Sequence, residues 1–246
     1  MTFKDHFSGH ASIYAEARPI YPDALFAWLA GHIPSRELAW DVGCGNGQAS
    51  IALAEHFSRV VATDPSAAQI ANASPHPNID YRVEPAERCS LANTSVDLIT
   101  IAQALHWFDL DGFYAEVRRV LKPGGLIVAW TYADCHVTSS IDAIKARLYT
   151  EITGPYWPTE RAIVEAGYAT LPFPFREVAV PPFPMTSRWT IDHFLAYLRS
   201  WSGSQRYLKA TGTDPVSLVE GDIRAYWRGV PMRELRWDLG VRCGVR

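Results

Sequence analysis

Gly43, Gly45 and Gly47 fall within the segment Asp41-Val42-Gly43-Cys44-Gly45-Asn46-Gly47, between an apolar run and a helix-forming run. Glycine tolerates the tight turn such a junction needs and lets backbone approach a ligand closely. The helix that follows starts with amides that have no partner inside the helix. Alone, such a loop is a weak signal, because enzymes that hold a pyrophosphate use a related one and a plain strand-to-helix turn reads the same way. Asp64 narrows it. It ends the next apolar run, Arg59-Val60-Val61-Ala62-Thr63-Asp64, where a carboxylate can accept from both hydroxyls of a ribose. The plainer alternative is that Asp64 caps the following helix. His106-Trp107-Phe108 follows another apolar run. His106 could take a proton there if the reacting group carries one, and Trp107 could face a cation, although Trp107 and Phe108 could equally pack beneath the next helix. Arg18 lies between Tyr14 and Tyr21 and could grip a carboxylate with paired donors, or make a surface salt bridge.

The elements that must position these residues follow from hydrophobic patterning. Strands are expected at residues 38–42, 59–64, 81–84, 96–102 and 126–130, with helices at 24–32, 47–57, 67–73 and 109–120. The first helix shows Leu25, Trp28 and Leu29 on one face. Lys122-Pro123-Gly124-Gly125 reads as a turn. Strands alternating with helices at this pace imply an α/β, doubly wound, Rossmann-like parallel sheet with helices on both faces. Beyond Tyr132 the pattern changes. Helices are expected at 140–152, 191–201 and 216–227, a strand at 177–180 and a last strand at 235–241, with a proline- and aromatic-rich stretch at 155–184. The chain reads as one domain over residues 1–246: an N-terminal lid and first helix (1–37), a binding core (38–132), cap helices inserted among the last sheet elements (133–229) and a terminal strand (230–246). Arg199 and Trp201 in the cap and Trp130 at the end of the fifth strand are further candidates for lining a pocket, although aromatics are usually core.

The segment Asp41 to Gly47 resembles the first motif of class I S-adenosylmethionine-dependent methyltransferases. Asp64-Pro65-Ser66 resembles their acidic ribose motif, Ala86-Glu87 the segment beside the adenine, and Leu121-Lys122-Pro123-Gly124-Gly125-Leu126 the turn before their fifth strand. Arg18-Pro19-Ile20-Tyr21-Pro22 and His106-Trp107-Phe108 resemble the small-molecule branch, methyltransferase type 11, that includes trans-aconitate methyltransferase. The resemblance implies a seven-stranded sheet whose last hairpin is antiparallel, and S-adenosyl-L-methionine as cofactor, leaving S-adenosyl-L-homocysteine. It implies that Asp41 orients the loop and that Gly43, Gly45, Asn46 and Gly47 back the cofactor. Asp64 would hold the ribose, Pro65 and Ala86 would flank the adenine, Glu87 would accept from its amino group, and Gln103 and Ala104 would face the methionine moiety. Gln69 departs from the pattern, since relatives often carry an apolar residue there. His106, Arg18 and Tyr21 would work at the reacting centre, and Tyr14, Trp107, Trp130 and Arg199 would meet the acceptor. A carboxylate acceptor needs no general base; a hydroxyl or amine does.

Composition bounds the rest. Hydrophobic residues are 48% and charged residues 20% of 246, the balance of an ordinary globular protein. A formal net charge of −3 gives no reason to expect nucleic acid as a partner. Arg224, Arg228, Arg233, Arg236, Arg242 and Arg246 read as solvated faces. Four scattered cysteines signal neither a metal site nor disulfides, and no signal peptide or membrane span stands out, so a cytoplasmic location is expected. Two rivals remain: a nicotinamide oxidoreductase, for which Gly47 arrives too early and Lys122 to Gly125 has no role, and a non-catalytic module that keeps the fold. The expected partner is a small-molecule methyl acceptor; oligomeric state has no sequence signal here.

Overall fold

A computed structural model describes residues 18–246. Helix α1 (Asp23–Gly31) buries Leu25, Phe26, Leu29 and Ala30. Trp28, expected on that face, lies at its rim and stacks on His32 at 4.1 Å. Strand β1 (Leu38–Val42), helix α2 (Gln48–Ala54), β2 (Arg59–Asp64), α3 (Ala67–Ala71), β3 (Ile79–Val83), β4 (Val96–Ala102), α4 (Leu110–Val120) and β5 (Leu121–Thr131) follow in alternation. β5 begins five residues earlier than expected, because the Lys122 to Gly125 turn is drawn into it, with a register irregularity against β4 between Val96 and Leu98.

Beyond β5 come β6 (Cys135–His136), α5 (Ser139–Arg147), α6 (Arg161–Glu165), β7 (Arg176–Glu177), β8 (Met185–Trp189), α7 (Ile191–Ser200), α8 (Ser202–Thr211), α9 (Ser217–Trp227), β9 (Arg233–Trp237) and β10 (Gly240–Val245). The main sheet has seven strands in the order β3-β2-β1-β4-β5-β10-β7. Its first five strands are parallel, and β10 runs antiparallel to β5 and to β7. This is the seven-stranded α/β sheet with antiparallel last strands that the motifs imply.

The sheet is covered on both faces, which is why its central strands are near-continuous apolar runs. Along β5, Val128 and Trp130 enter the cluster that holds Leu25, Leu29 and Leu53, while Ile127 and Ala129 enter the one that holds Trp40, Phe113 and Val117. The amino ends are tied by Lys122, which bonds Glu37 at 2.9 Å and buried Asp97 at 2.8 Å. Asp97 in turn accepts from the Glu37 and Leu38 amides. The functional ends of the strands lie opposite this anchor.

Three expectations need correction. The single strand at 235–241 is two strands. β9 joins a small antiparallel sheet of order β6-β9-β8, and β10 joins the main sheet. Strand β8 was not foreseen, although its buried ends, Met185 and Trp189, carry a period-two signal. The helix at 140–152 leaves α-geometry after Arg147 and continues as a wider turn through Ile152. The strand at 177–180 shrinks to β7. The small sheet packs by aromatics: Trp237 meets Trp189 at 5.0 Å and Tyr197 at 5.9 Å and donates to the Tyr197 hydroxyl at 3.1 Å. No described helix is long and apolar enough to cross a membrane.

Candidate active site

The glycine loop sits at the carboxyl end of β1, beside β4, where strand order reverses and doubly wound sheets bind ligands. Its backbone amides are mostly spent inside the protein. Gly43 and Cys44 donate to the Thr63 carbonyl at 2.8 and 3.0 Å, and Gly47 donates to the Cys44 carbonyl at 3.0 Å. Gly45 donates to Asp64 Oδ2 at 3.0 Å, while Ser66 N donates to Asp64 Oδ1 at 2.8 Å. A loop with these amides committed is poorly suited to cradle a pyrophosphate, which needs free N–H groups.

All three glycines are left-handed, with φ of +66°, +56° and +87°, but their surroundings differ. A Cβ on Gly43 would lie 2.7 Å from the Ala104 Cβ, and one on Gly47 would run into the Tyr81 hydroxyl. On Gly45, among the described residues, it would meet Gln69 Oε1 at 3.8 Å. Among those residues Gly45 leaves room beside the Asp64 carboxylate, a cradle that would fit a ribose. Asp41 is wholly buried and accepts from Ser50 Oγ at 2.6 Å and Thr100 Oγ1 at 2.9 Å, tying β1 to α2 and β4. Burial raises its carboxyl to about 6, against those two hydrogen bonds. Ala86 is buried and Pro65 half-buried. Glu87 uses Oε1 to accept from the Asp109 amide at 3.0 Å, which caps the start of α4 and leaves Oε2 for any other role.

Past β4, Gln103 takes φ +57°, an uncommon conformation for a side-chain-bearing residue. Its side chain donates to the Tyr132 carbonyl at 2.9 Å and accepts from Thr131 Oγ1 at 2.5 Å. Ala104 packs on Gly43, and so does Phe108, whose Cζ would lie 3.2 Å from a Gly43 Cβ. His106 Nδ1 lies 3.1 Å from the Tyr168 hydroxyl, and its ring lies 4.6 Å from that of Trp107. Burial pushes His106 down to about 4; Glu160 acts against this, and Arg161 and Arg18 add to it. Arg18 also lowers the phenols of Tyr21 and Tyr132, both raised chiefly by burial. Arg18, Tyr21, Tyr132, Tyr168 and His106 thus share one electrostatic neighbourhood. The N-terminal segment is held on α2 by Gln48, which donates to the Pro19 carbonyl at 2.8 Å.

Two site expectations fail on geometry. Trp130 has no exposed surface; it is a core ring, edge-on to Tyr21 at 5.5 Å and Phe26 at 6.0 Å, so it supports Tyr21 and lines no pocket. Arg199 spends its guanidinium on Asp214 at 2.7 Å and Glu220 at 2.6 Å, stapling α7 to α9. Trp201 packs against Trp157 and Tyr149 at 5.7 Å each. Arg242, expected in solvent, donates to the Tyr168 and Leu171 carbonyls at 3.1 and 2.7 Å. Tyr14 lies outside the described residues. Tyr168 and Thr131 were missed; nothing local in sequence marks a tyrosine 62 positions from its histidine partner.

Comparison with known proteins agrees with this geometry. The methyltransferase type 11 domain matches residues 40–129. A Dictyostelium discoideum protein provisionally named a methyltransferase is 35% identical over 229 residues, covering 91% of this chain and 87% of that one. A Saccharomyces cerevisiae protein provisionally named an S-adenosylmethionine-dependent methyltransferase is 30% identical over 128 residues, 48% of this chain and 44% of that one. A solved structure from Anaeromyxobacter dehalogenans, provisionally named a type II methyltransferase, is 47% identical with a TM-score of 0.87, covering 93% of this chain and 97% of that one. Fold, loop and relatives together define a class I methyltransferase, an enzyme class that uses S-adenosylmethionine. The chain belongs to the methyltransferases, and its residues 40–129 match the type 11 methyltransferase domain.

Proposed function

We propose that this enzyme transfers the methyl group of S-adenosylmethionine to an oxygen of a small molecule, a carboxylate or a hydroxyl. The observation that carries the reading is the Asp64 carboxylate, fixed by the Gly45 and Ser66 amides beside the open face of Gly45. A carboxylate has about four acceptor positions and can serve backbone amides and ligand hydroxyls together. In this reading the ribose hydroxyls bond Asp64, Pro65 and Ala86 flank the adenine, and Glu87 accepts from its amino group through Oε2. Gly43, Gly45, Asn46 and Gly47 let the cofactor lie close to backbone, with Gln103 and Ala104 beside its methionine part. The bound sulfonium supplies an already activated methyl group. What the protein adds is alignment of the acceptor, which can contribute much of the rate. Arg18, Tyr21 and His106 form the acceptor side, and Trp107 gives an aromatic face near the cationic sulfur. The modest net charge of −3 favours a small acceptor over nucleic acid. Four buried, unpaired cysteines suit a reducing compartment such as the cytoplasm.

Thermal unfolding tests the cofactor assignment. S-adenosylhomocysteine at about 100 times its Kd should add about 2.7 kcal/mol of stability, and NADH should add none. Stabilisation by NADH alone overturns the reading. Transfer of labelled methyl to a panel of small acids and phenols then tests the acceptor class.

A further inference from the structure

Among the described residues, the tip of one side chain reaches the flank of Gly45. Outside its chain neighbours, the nearest atom to a Cβ built there is Gln69 Oε1, at 3.8 Å. Gln69 is the third residue of α3. Helical side chains lean toward the N-terminus of their helix, so this one leans back over the turn made by Asp64, Pro65 and Ser66. Gln69 is 8% exposed and Asp64 9%, and Asp64 Oδ2 accepts from the Gly45 amide. The loop, the end of β2 and the start of α3 thus bring Gly45, Asp64 and Gln69 together.

A plainer task for Gln69 is written in its spacing. Ser66-Ala67-Ala68-Gln69 has the form of a capping box. In such a box the serine hydroxyl accepts from the amide three residues on, and the glutamine side chain reaches back to accept from the serine amide. Here the first half forms, with Ser66 Oγ accepting from Gln69 N at 3.3 Å. The second half does not, because the Ser66 amide donates to Asp64 Oδ1 at 2.8 Å. Asp64 takes the position that would have occupied Gln69. Among the described residues the Gln69 side-chain amide bonds nothing. An amide buried without a partner costs stability, and native proteins rarely keep one.

We propose that Gln69 is a cofactor-binding residue whose side-chain amide donates a hydrogen bond to an acceptor atom of the nucleoside of S-adenosylmethionine. The proposal rests on the methyltransferase reading above and adds what Asp64 lacks. An ionised carboxylate only accepts, so it can hold sugar hydroxyls through their protons. Sugar oxygens and adenine ring nitrogens are acceptors themselves and need a donor. An amide carries a donor and an acceptor on one planar group. With no partner to fix it, Gln69 can turn Nε2 to where Oε1 stands beside Gly45. Its place at the ribose cradle assigns it to the nucleoside, apart from the methionine side formed by Gln103 and Ala104.

Calorimetry with S-adenosylhomocysteine, together with thermal unfolding of the unliganded protein, tests this. Gln69→Met keeps length and helix preference and removes the amide. Its affinity should fall about tenfold, the worth of one hydrogen bond and of the acceptor left unpaired. Its unfolding midpoint should hold or rise, because an unpartnered amide has gone. A purely structural glutamine would do the reverse. Gln69→Glu keeps an acceptor, loses the donor, and should bind no better than Gln69→Met. Nitrogen NMR of 15N-glutamine-labelled wild type gives a second readout, with the Gln69 side-chain signals identified by their loss in either variant. S-adenosylhomocysteine should shift them. Saturating 5′-methylthioadenosine, which keeps the nucleoside and lacks the amino acid, should shift them alike. Wild-type affinity in Gln69→Met or Gln69→Glu overturns the proposal. So do Gln69 signals that stay put while the wild type binds, or that move with S-adenosylhomocysteine and not with methylthioadenosine. Failure of the wild type to bind S-adenosylhomocysteine would overturn the methyltransferase reading, and this proposal with it.

Discussion

The glycine-loop end of the molecule and the segment beyond Tyr132 are built in different ways. At the loop, positions are set by backbone: amides of Gly43, Cys44 and Gly45 bonded to Thr63 and Asp64, from residues close in sequence or on adjacent strands. Beyond Tyr132, positions are set by side chains that meet over long separations, as when Tyr168 meets His106, Arg161 meets the Ala133 carbonyl, and Arg242 braces Tyr168. A backbone cradle suits a cofactor whose shape never changes. A side-chain wall can be rebuilt by substitution without disturbing the loop.

The sharpest way to break this comparison is at His106, where the two regions meet. His106→Ala should lower kcat by on the order of 10²-fold or more while cofactor affinity holds. Equal loss of both, by steady-state kinetics and calorimetry, would move His106 into the cofactor wall. Gly43→Ala should act on the backbone half alone. The left-handed φ costs about 1–2 kcal/mol, and the 2.7 Å approach to Ala104 adds about 1–3 kcal/mol of overpacking. An unchanged denaturation midpoint would contradict the packing described for the loop.

Acid should reveal His106 a second time. Its folded-state value is pushed down to about 4 by burial, against about 6.5 in an unfolded chain. The unfolded state therefore binds the proton first. The contribution is fully present above about pH 6.5 and is lost as pH falls toward 4, on the order of 3 kcal/mol in all. His106→Gln should flatten that part of the stability profile; parallel profiles would contradict the burial argument. The smallest effect is expected at Arg199. Its ion pairs with Asp214 and Glu220 are partly exposed, so Arg199→Ala should cost less than about 1 kcal/mol and leave kcat unchanged. A fall in kcat would return Arg199 to the acceptor site.

The same contrast governs what could be read from sequence. Asp41 to Gly47 and Asp64 were legible because a strand, a glycine turn and a carboxylate at the next strand end are local patterns with a physical reason for each residue. The sheet was legible from apolar runs that must be buried on both faces. Trp130 was misjudged because the end of a strand looks the same whether its last ring points to solvent or under Tyr21. Arg199 was misjudged because a cation on a helix does not announce its partners. Tyr168 was missed because its left-handed backbone and its contact with His106 exist only after residues 133–175 have folded back across β5. The split of residues 235–241 was missed because one alternating run can serve two sheets when Asp238-Leu239 breaks it.

Calorimetry of S-adenosylhomocysteine binding to the wild type and to Asp64→Ala tests the central claim most directly. Loss of two charge-assisted hydrogen bonds should cost about 2–4 kcal/mol, a weakening of roughly 30-fold to several hundredfold, with stoichiometry held at one site. Equal affinity in the two proteins would contradict the assignment of Asp64, and with it the reading of the glycine loop as the cofactor site.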